Sequence, residues 1–76
     1  MDLRQVLATN LRQARYEKGL SQEELADLAE VNRTYISKLE TGSTWGGLEI
    51  IARLAKVLGC SAADLVMEEK QRKRQR

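Results

Sequence analysis

The 76-residue chain contains no phenylalanine, no proline and no histidine, and only three aromatic residues in all: one tryptophan and two tyrosines. Without Phe the core has to be aliphatic. Without Pro, the turns must be made by Gly, Asn and Ser. A single cysteine, Cys60, has no partner for an internal disulfide, and with no histidine beside it no protein-only zinc site is expected. No stretch reaches the roughly 18 consecutive apolar residues of a membrane span. The N-terminal "MDLRQVLATN" lacks the charged-then-apolar layout of a secretory signal. The expectation is a reducing, cytoplasmic-type compartment. The chain has room for one core, and its 42% hydrophobic and 32% charged residues suit a helix-rich domain.

Charge is informative only when divided. From Glu68 to Arg76, five basic residues (Lys70, Arg72, Lys73, Arg74 and Arg76) stand against Glu68 and Glu69, a balance of +3. Residues 1 to 67 carry −1, so binding to nucleic acid must be argued from position rather than total. We divide the chain accordingly: a folded domain over 1–67 and a basic segment over 68–76. Such a segment is either solvated chain or an arm that binds DNA without regard to sequence.

Helical spacing of Leu3, Val6, Leu7, Leu11 and Ala14 predicts a first helix that stops near Lys18-Gly19. Ser21 to Glu24 form a capping box that opens a second helix running to about Ala29. Asn32 caps a third, which ends near Thr41-Gly42, and "STWGG" (43–47) is a loop. Leu48, Ile51, Ala55 and Leu58, flanked by Ile50, Leu54 and Val57, form a wide apolar face on a fourth helix stopped at Gly59. Ser61 to Asp64 repeat the capping pattern before Leu65, Val66 and Met67. The expected fold is all-α with five helices.

The third helix divides into two halves. With Arg33 at 0° and a helical advance of about 100° per residue, Ser37 falls at roughly 40°, Thr34 at 100° and Lys38 at 140°. Tyr35, Leu39 and Ile36 fall at roughly 200°, 240° and 300°. The polar half offers a guanidinium, two hydroxyls and an ammonium close to a helix N-terminus. That set suits base edges in a DNA major groove: Arg33 for guanine O6 and N7, Thr34 and Ser37 as donor or acceptor, with Lys38 beside them. Gln22, first after the Ser21 cap, stands where its side chain and the helix amides can meet a phosphate. The bland alternative is the solvated face of any amphipathic helix, and periodicity alone favours it slightly.

The stretch "SQEELADLAEVNRTYISKLETG", Ser21 to Gly42, resembles the helix-turn-helix of the Cro-like phage-repressor family, also called the xenobiotic-response-element type. The likeness runs from about Leu3 to Val66, including "LGCSAADLV". It implies a five-helix domain that reads double-stranded operator DNA, usually as a homodimer on a palindrome. It also implies that Arg33, Thr34, Ser37 and Lys38 face bases and that Gln22 contacts the backbone. An ion pair between Arg15 and Glu40 is implied as well. R-T-Y-I-S in a short chain further resembles the controller proteins of restriction-modification operons. Two departures stand out. Glu30 occupies the turn position the family usually gives to glycine; in a left-handed conformation it would cost about 1 kcal/mol or somewhat more. The loop after the third helix lacks the usual basic residues, which leaves its phosphate contacts to amides, Ser43 or Thr44.

Among the remaining residues, the Tyr35 ring is expected to pack while its hydroxyl is available to a phosphate. Trp45 is either a dimer anchor or a ring folded onto its own loop. Dimerisation is expected on the fourth and fifth helices, through Ile50, Leu65, Val66 and Met67 with Trp45. Cys60 is expected to be a small buried hydrophobe. No cofactor or small-molecule ligand is implied. Catalysis has no support, since neither Cys60 nor any serine has a histidine base. The rival reading is a protein-interaction module on the same fold, such as a toxin-pair antitoxin or a coactivator.

Overall fold

The computed structural model describes residues 2–68; the basic segment beyond Glu68 lies outside them. Five helices follow one another: α1 (Leu3–Glu17), α2 (Gln22–Ala29), α3 (Arg33–Thr41), α4 (Leu48–Leu58) and α5 (Ala62–Val66). There is no strand among the described residues, and no helix there is long and apolar enough to cross a membrane.

Each boundary has a local cause. Asp2 caps α1 by accepting the Arg4 amide at 2.9 Å, a bond that holds its carboxyl below the usual range. Both halves of the α2 capping box form: the Glu24 amide donates to Ser21 Oγ at 3.0 Å and the Ser21 amide to Glu24 Oε1 at 2.8 Å. Ser61 and Asp64 do the same for α5, each bond 3.1 Å long. α3 and α4 end on Gly42 and Gly59.

The core is aliphatic throughout. Leu7 and Leu11 from α1, Leu25 from α2, Ile36 and Leu39 from α3, and Leu54 from α4 lose all contact with solvent, and Leu65 from α5 nearly all. α1 packs on α3 and α5, α2 on α3 and α4, and α4 on α5. Five residues are too few for an autonomous helix, so α5 depends on tertiary support. Asn10 supplies part of it. This buried side chain donates from Nδ2 to the carbonyls of Asp64, Leu65 and Met67 at 3.3, 3.0 and 2.7 Å, tying the end of α5 to α1.

Three residues differ from expectation. Leu65 is 1% exposed, so it belongs to the core of its own chain and offers no surface to a second copy. Leu48 does not join the buried face of α4; at the helix start it is 77% exposed. Cys60 is half-buried at the margin of the core instead of within it.

Glu30 adopts the left-handed conformation, with φ 59° and ψ 44°, and is the one non-glycine residue with positive φ among those described. The geometry is required because the Val31 amide must fold back to the Ala26 carbonyl, 2.9 Å away, before α3 can begin. Left-handed backbone costs an L-residue about 1–2 kcal/mol. Glycine would remove this strain but add unfolded-state entropy worth about 0.4–1 kcal/mol. Glu30→Gly is therefore expected to stabilise the protein by up to about 1 kcal/mol, seen as a melting point higher by several degrees. A lower melting point would show that the carboxylate makes a contribution exceeding the strain.

Candidate nucleic-acid interface

The turn built on Glu30 and Val31 sets the direction of α3. Val31 packs on the core, and Asn32 caps α3 by accepting the Thr34 amide at 2.7 Å. From this start the two halves of α3 separate as their spacing requires: Ile36 and Leu39 are fully buried, Tyr35 is half-buried, and Arg33, Thr34 and Lys38 are exposed with Ser37 half-buried beside them. Neither Arg33 nor Lys38 makes an ion pair among the described residues. Their charges stay available to whatever approaches this face.

One residue of α3 departs from the wheel. Glu40 lies next to the polar half by angle yet is 2% exposed, because a buried cation receives it. Arg15 of α1 grips its carboxylate with two parallel bonds, Nε to Oε2 at 2.6 Å and Nη2 to Oε1 at 2.9 Å. The Arg15 Nη1 donates to the Leu20 carbonyl at 2.8 Å. The carboxylate of Glu40 holds the guanidinium pKa above its already high value, so the arginine stays charged at any ordinary pH.

Two further side chains complete the junction. Gln22 of α2 donates from Nε2 to Glu40 Oε1 at 3.1 Å, and Arg12 of α1 donates from Nη1 to the Glu40 backbone carbonyl at 2.8 Å. Three helices thus meet on a single glutamate. Among the described residues no buried side-chain polar atom lacks a partner. Gln22 therefore takes part in holding α2 against α3, in addition to standing first on α2. Glu23 and Glu24 sit in the same first turn, and their exposed carboxylates weaken the pull of that helix end on a phosphate.

The loop after α3 is arranged by short bonds. Thr41 Oγ1 and Ser43 Oγ lie 2.8 Å apart, and the Ser43 amide donates to the Lys38 carbonyl at 3.0 Å. Ser43 is exposed and Thr44 half-buried. The Tyr35 hydroxyl donates to the Trp45 carbonyl at 3.4 Å. Trp45 is 42% exposed, while Ile50, Val66 and Met67 are half-buried. Arg12 and Asn10 escape sequence reasoning because no periodic or capping signal distinguishes them from ordinary polar helix residues; only tertiary approach gives them partners.

Residues 11–65 match the helix-turn-helix family HTH_3. A hypothetical transcription factor of Neisseria meningitidis serogroup B is 42% identical over 71 residues, which cover 93% of this chain and 67% of that protein. The control protein C.SmaI of Serratia marcescens is 36% identical over 69 residues, covering 91% of this chain and 82% of that protein. In three dimensions, the crystal structure of the hypothetical transcription factor NHTF from Neisseria matches with a TM-score of 0.91 at 40% identity, over 99% of this chain and 86% of that one. The chain belongs to the HTH_3 helix-turn-helix family, the xenobiotic-response-element type of DNA-binding transcriptional regulators.

Proposed function

We propose that the protein is a sequence-specific regulator that binds B-DNA as a homodimer, with α3 of each copy in the major groove of one half of a palindromic site. The observation that carries this reading is α3 itself: Arg33 and Lys38 are exposed and unpaired among the described residues, on a helix whose Ile36 and Leu39 are fully buried. Arg33 reads guanine through two parallel bonds, Thr34 and Ser37 contact neighbouring base edges, and Lys38 follows. Gln22, Tyr35, Ser43 and Thr44 contact the backbone and set the register. The likeness to the control protein C.SmaI supports a small controller acting on an operator.

Selection of bound duplexes from a random pool tests this reading. The expected product is one palindrome with half-site centres about one helical turn, roughly 34–36 Å, apart. A pool that stays random would overturn sequence-specific binding, and an enriched site without symmetry would overturn the dimer.

The basic segment gives a separate prediction. Removing residues 70–76 takes away five cations and is expected to weaken binding to all sequences alike. Each lost phosphate contact should flatten the dependence of log affinity on log salt by about 0.9. An unchanged slope in a salt titration would mean that these cations do not meet the DNA.

A further inference from the structure

Of the thirteen basic residues, five fall in the segment 68–76, which leaves eight within the described part of the chain. Three of these, Arg4, Arg15 and Arg53, are held in ion pairs. Lys18 and Lys56 attend the carbonyl end of α4: Lys56 is in its last turn, and a Cβ on Gly59 would lie 3.5 Å from Lys18 Nζ. Arg33 and Lys38 belong to the polar half of α3. That leaves Arg12, exposed on α1 and without an ion pair among the described residues.

The guanidinium of Arg12 is nevertheless held in place. Nη1 donates at 2.8 Å to the Glu40 carbonyl, a group at the end of α3 that no backbone amide among the described residues reaches. Gln5, seven residues earlier and on the same side of α1, lies against Gly42, where an added Cβ would run into its side-chain amide. This side of α1 therefore runs along the end of α3. The other N–H donors of Arg12 have no protein partner among the described residues.

The position suits a phosphate. Glu40 follows Arg33 by seven residues. It therefore lies about 10 Å farther along α3 and within about 20° of Arg33 around it. The major groove is about 12 Å wide, so with Arg33 at base edges a cation this far along the helix stands near the groove wall.

Charge points the same way. Arg15 and Glu40 cancel, so Arg12 leaves their junction with a net positive charge. Gln22 bonds the same glutamate at 3.1 Å, but it is neutral and shares its turn with exposed Glu23 and Glu24. The loop from Ser43 to Gly47 contains no cation. Neither element that meets the DNA backbone carries positive charge of its own, and Arg12 brings one to the junction between them.

We propose that Arg12 is a phosphate-binding residue: anchored by the Glu40 carbonyl, it grips the DNA backbone beside Gln22 through its remaining N–H groups. It supplies from α1 the charge that the loop after α3 lacks, and it adds affinity and register without base preference. This rests on the DNA-binding reading above.

Salt titrations on the selected duplex test the assignment. Arg12→Ala is expected to weaken binding to every duplex by the same factor. It should also flatten the dependence of log affinity on log salt by about 0.9 for each copy bound. Arg12→Lys keeps the charge and should keep the wild-type slope. Arg12→Gln removes the charge but keeps a donor for the carbonyl, and it should flatten the slope as alanine does. Circular dichroism checks that each variant is folded. If Arg12 serves α3 as a cap and nothing more, its loss would disturb the aim of the helix: base preference would change while the slope stayed. That result would overturn the proposal.

Duplexes with single phosphates replaced by neutral methylphosphonates locate the contact. One position in each half-site should cost the wild-type protein about tenfold, the worth of a hydrogen bond to a charged group, and cost Arg12→Gln nothing further. The absence of any such position would also overturn the phosphate contact. If selection leaves the pool random, the sequence-specific reading fails by itself, and the same slopes on a random-sequence duplex still decide Arg12. A chain that binds no duplex overturns both.

Discussion

Arg15→Met is expected to lower stability by about 3–5 kcal/mol, the cost of leaving a buried carboxylate without its cation. Arg15 and Glu40 are 7% and 2% exposed, so water cannot take over the missing contacts. Gln22 alone remains on the carboxylate, through one neutral donor. Domains of this size sit toward the lower end of the usual 5–15 kcal/mol, so the variant should be largely unfolded at growth temperature. Urea unfolding followed by helical circular dichroism measures the loss. A cost below about 1 kcal/mol would place the pair with ordinary surface bridges. The double variant Arg15→Met, Glu40→Leu separates two roles. Apolar replacement of both partners is often neutral or stabilising, so most of the lost stability should return. If the junction also aims α3, DNA affinity should not return with it. Recovery of both would reduce the pair to a fold-stabilising contact.

This junction marks how much the sequence could reveal. Helix limits were legible because their determinants are local: Ser21 with Glu24, Ser61 with Asp64, Asn32, and the glycines at 42 and 59 each act within a turn or two. The two faces of α3 followed from a 100° advance and hydrophobicity alone. The Arg15–Glu40 pair did not. Its members are 25 positions apart, and only the family resemblance brought them together. Arg12 and Asn10 were beyond both routes, since a polar residue on a long amphipathic helix reads as solvated until another element descends on it. Leu48 and Leu65 exchanged places for the converse reason. Apolarity shows that a side chain seeks cover, but whether α5 or a different molecule provides it depends on where the short last helix lands.

Arg33→Ala is expected to cost about 1–3 kcal/mol at each half-site, roughly 5- to 150-fold in affinity, and to relax preference at one base position. The change is clean because Arg33 is exposed and has no ion-pair partner among the described residues, so removing it leaves no internal group unsatisfied. On a two-fold site both copies lose the contact, and the total doubles when the half-sites act independently. Arg33→Lys sharpens the result. Lysine keeps the charge but cannot form two parallel bonds to guanine O6 and N7, so it should restore salt-dependent affinity without restoring selectivity. Binding measured on the selected duplex and on four variants of the contacted base pair resolves these outcomes. An equal loss on every duplex would assign Arg33 to the phosphate backbone and shift the burden of reading to Thr34, Ser37 and Lys38. A loss confined to one position would establish that a single exposed guanidinium discriminates among bases, on a helix that starts at the strained turn of Glu30 and is tied to α1 and α2 through Glu40.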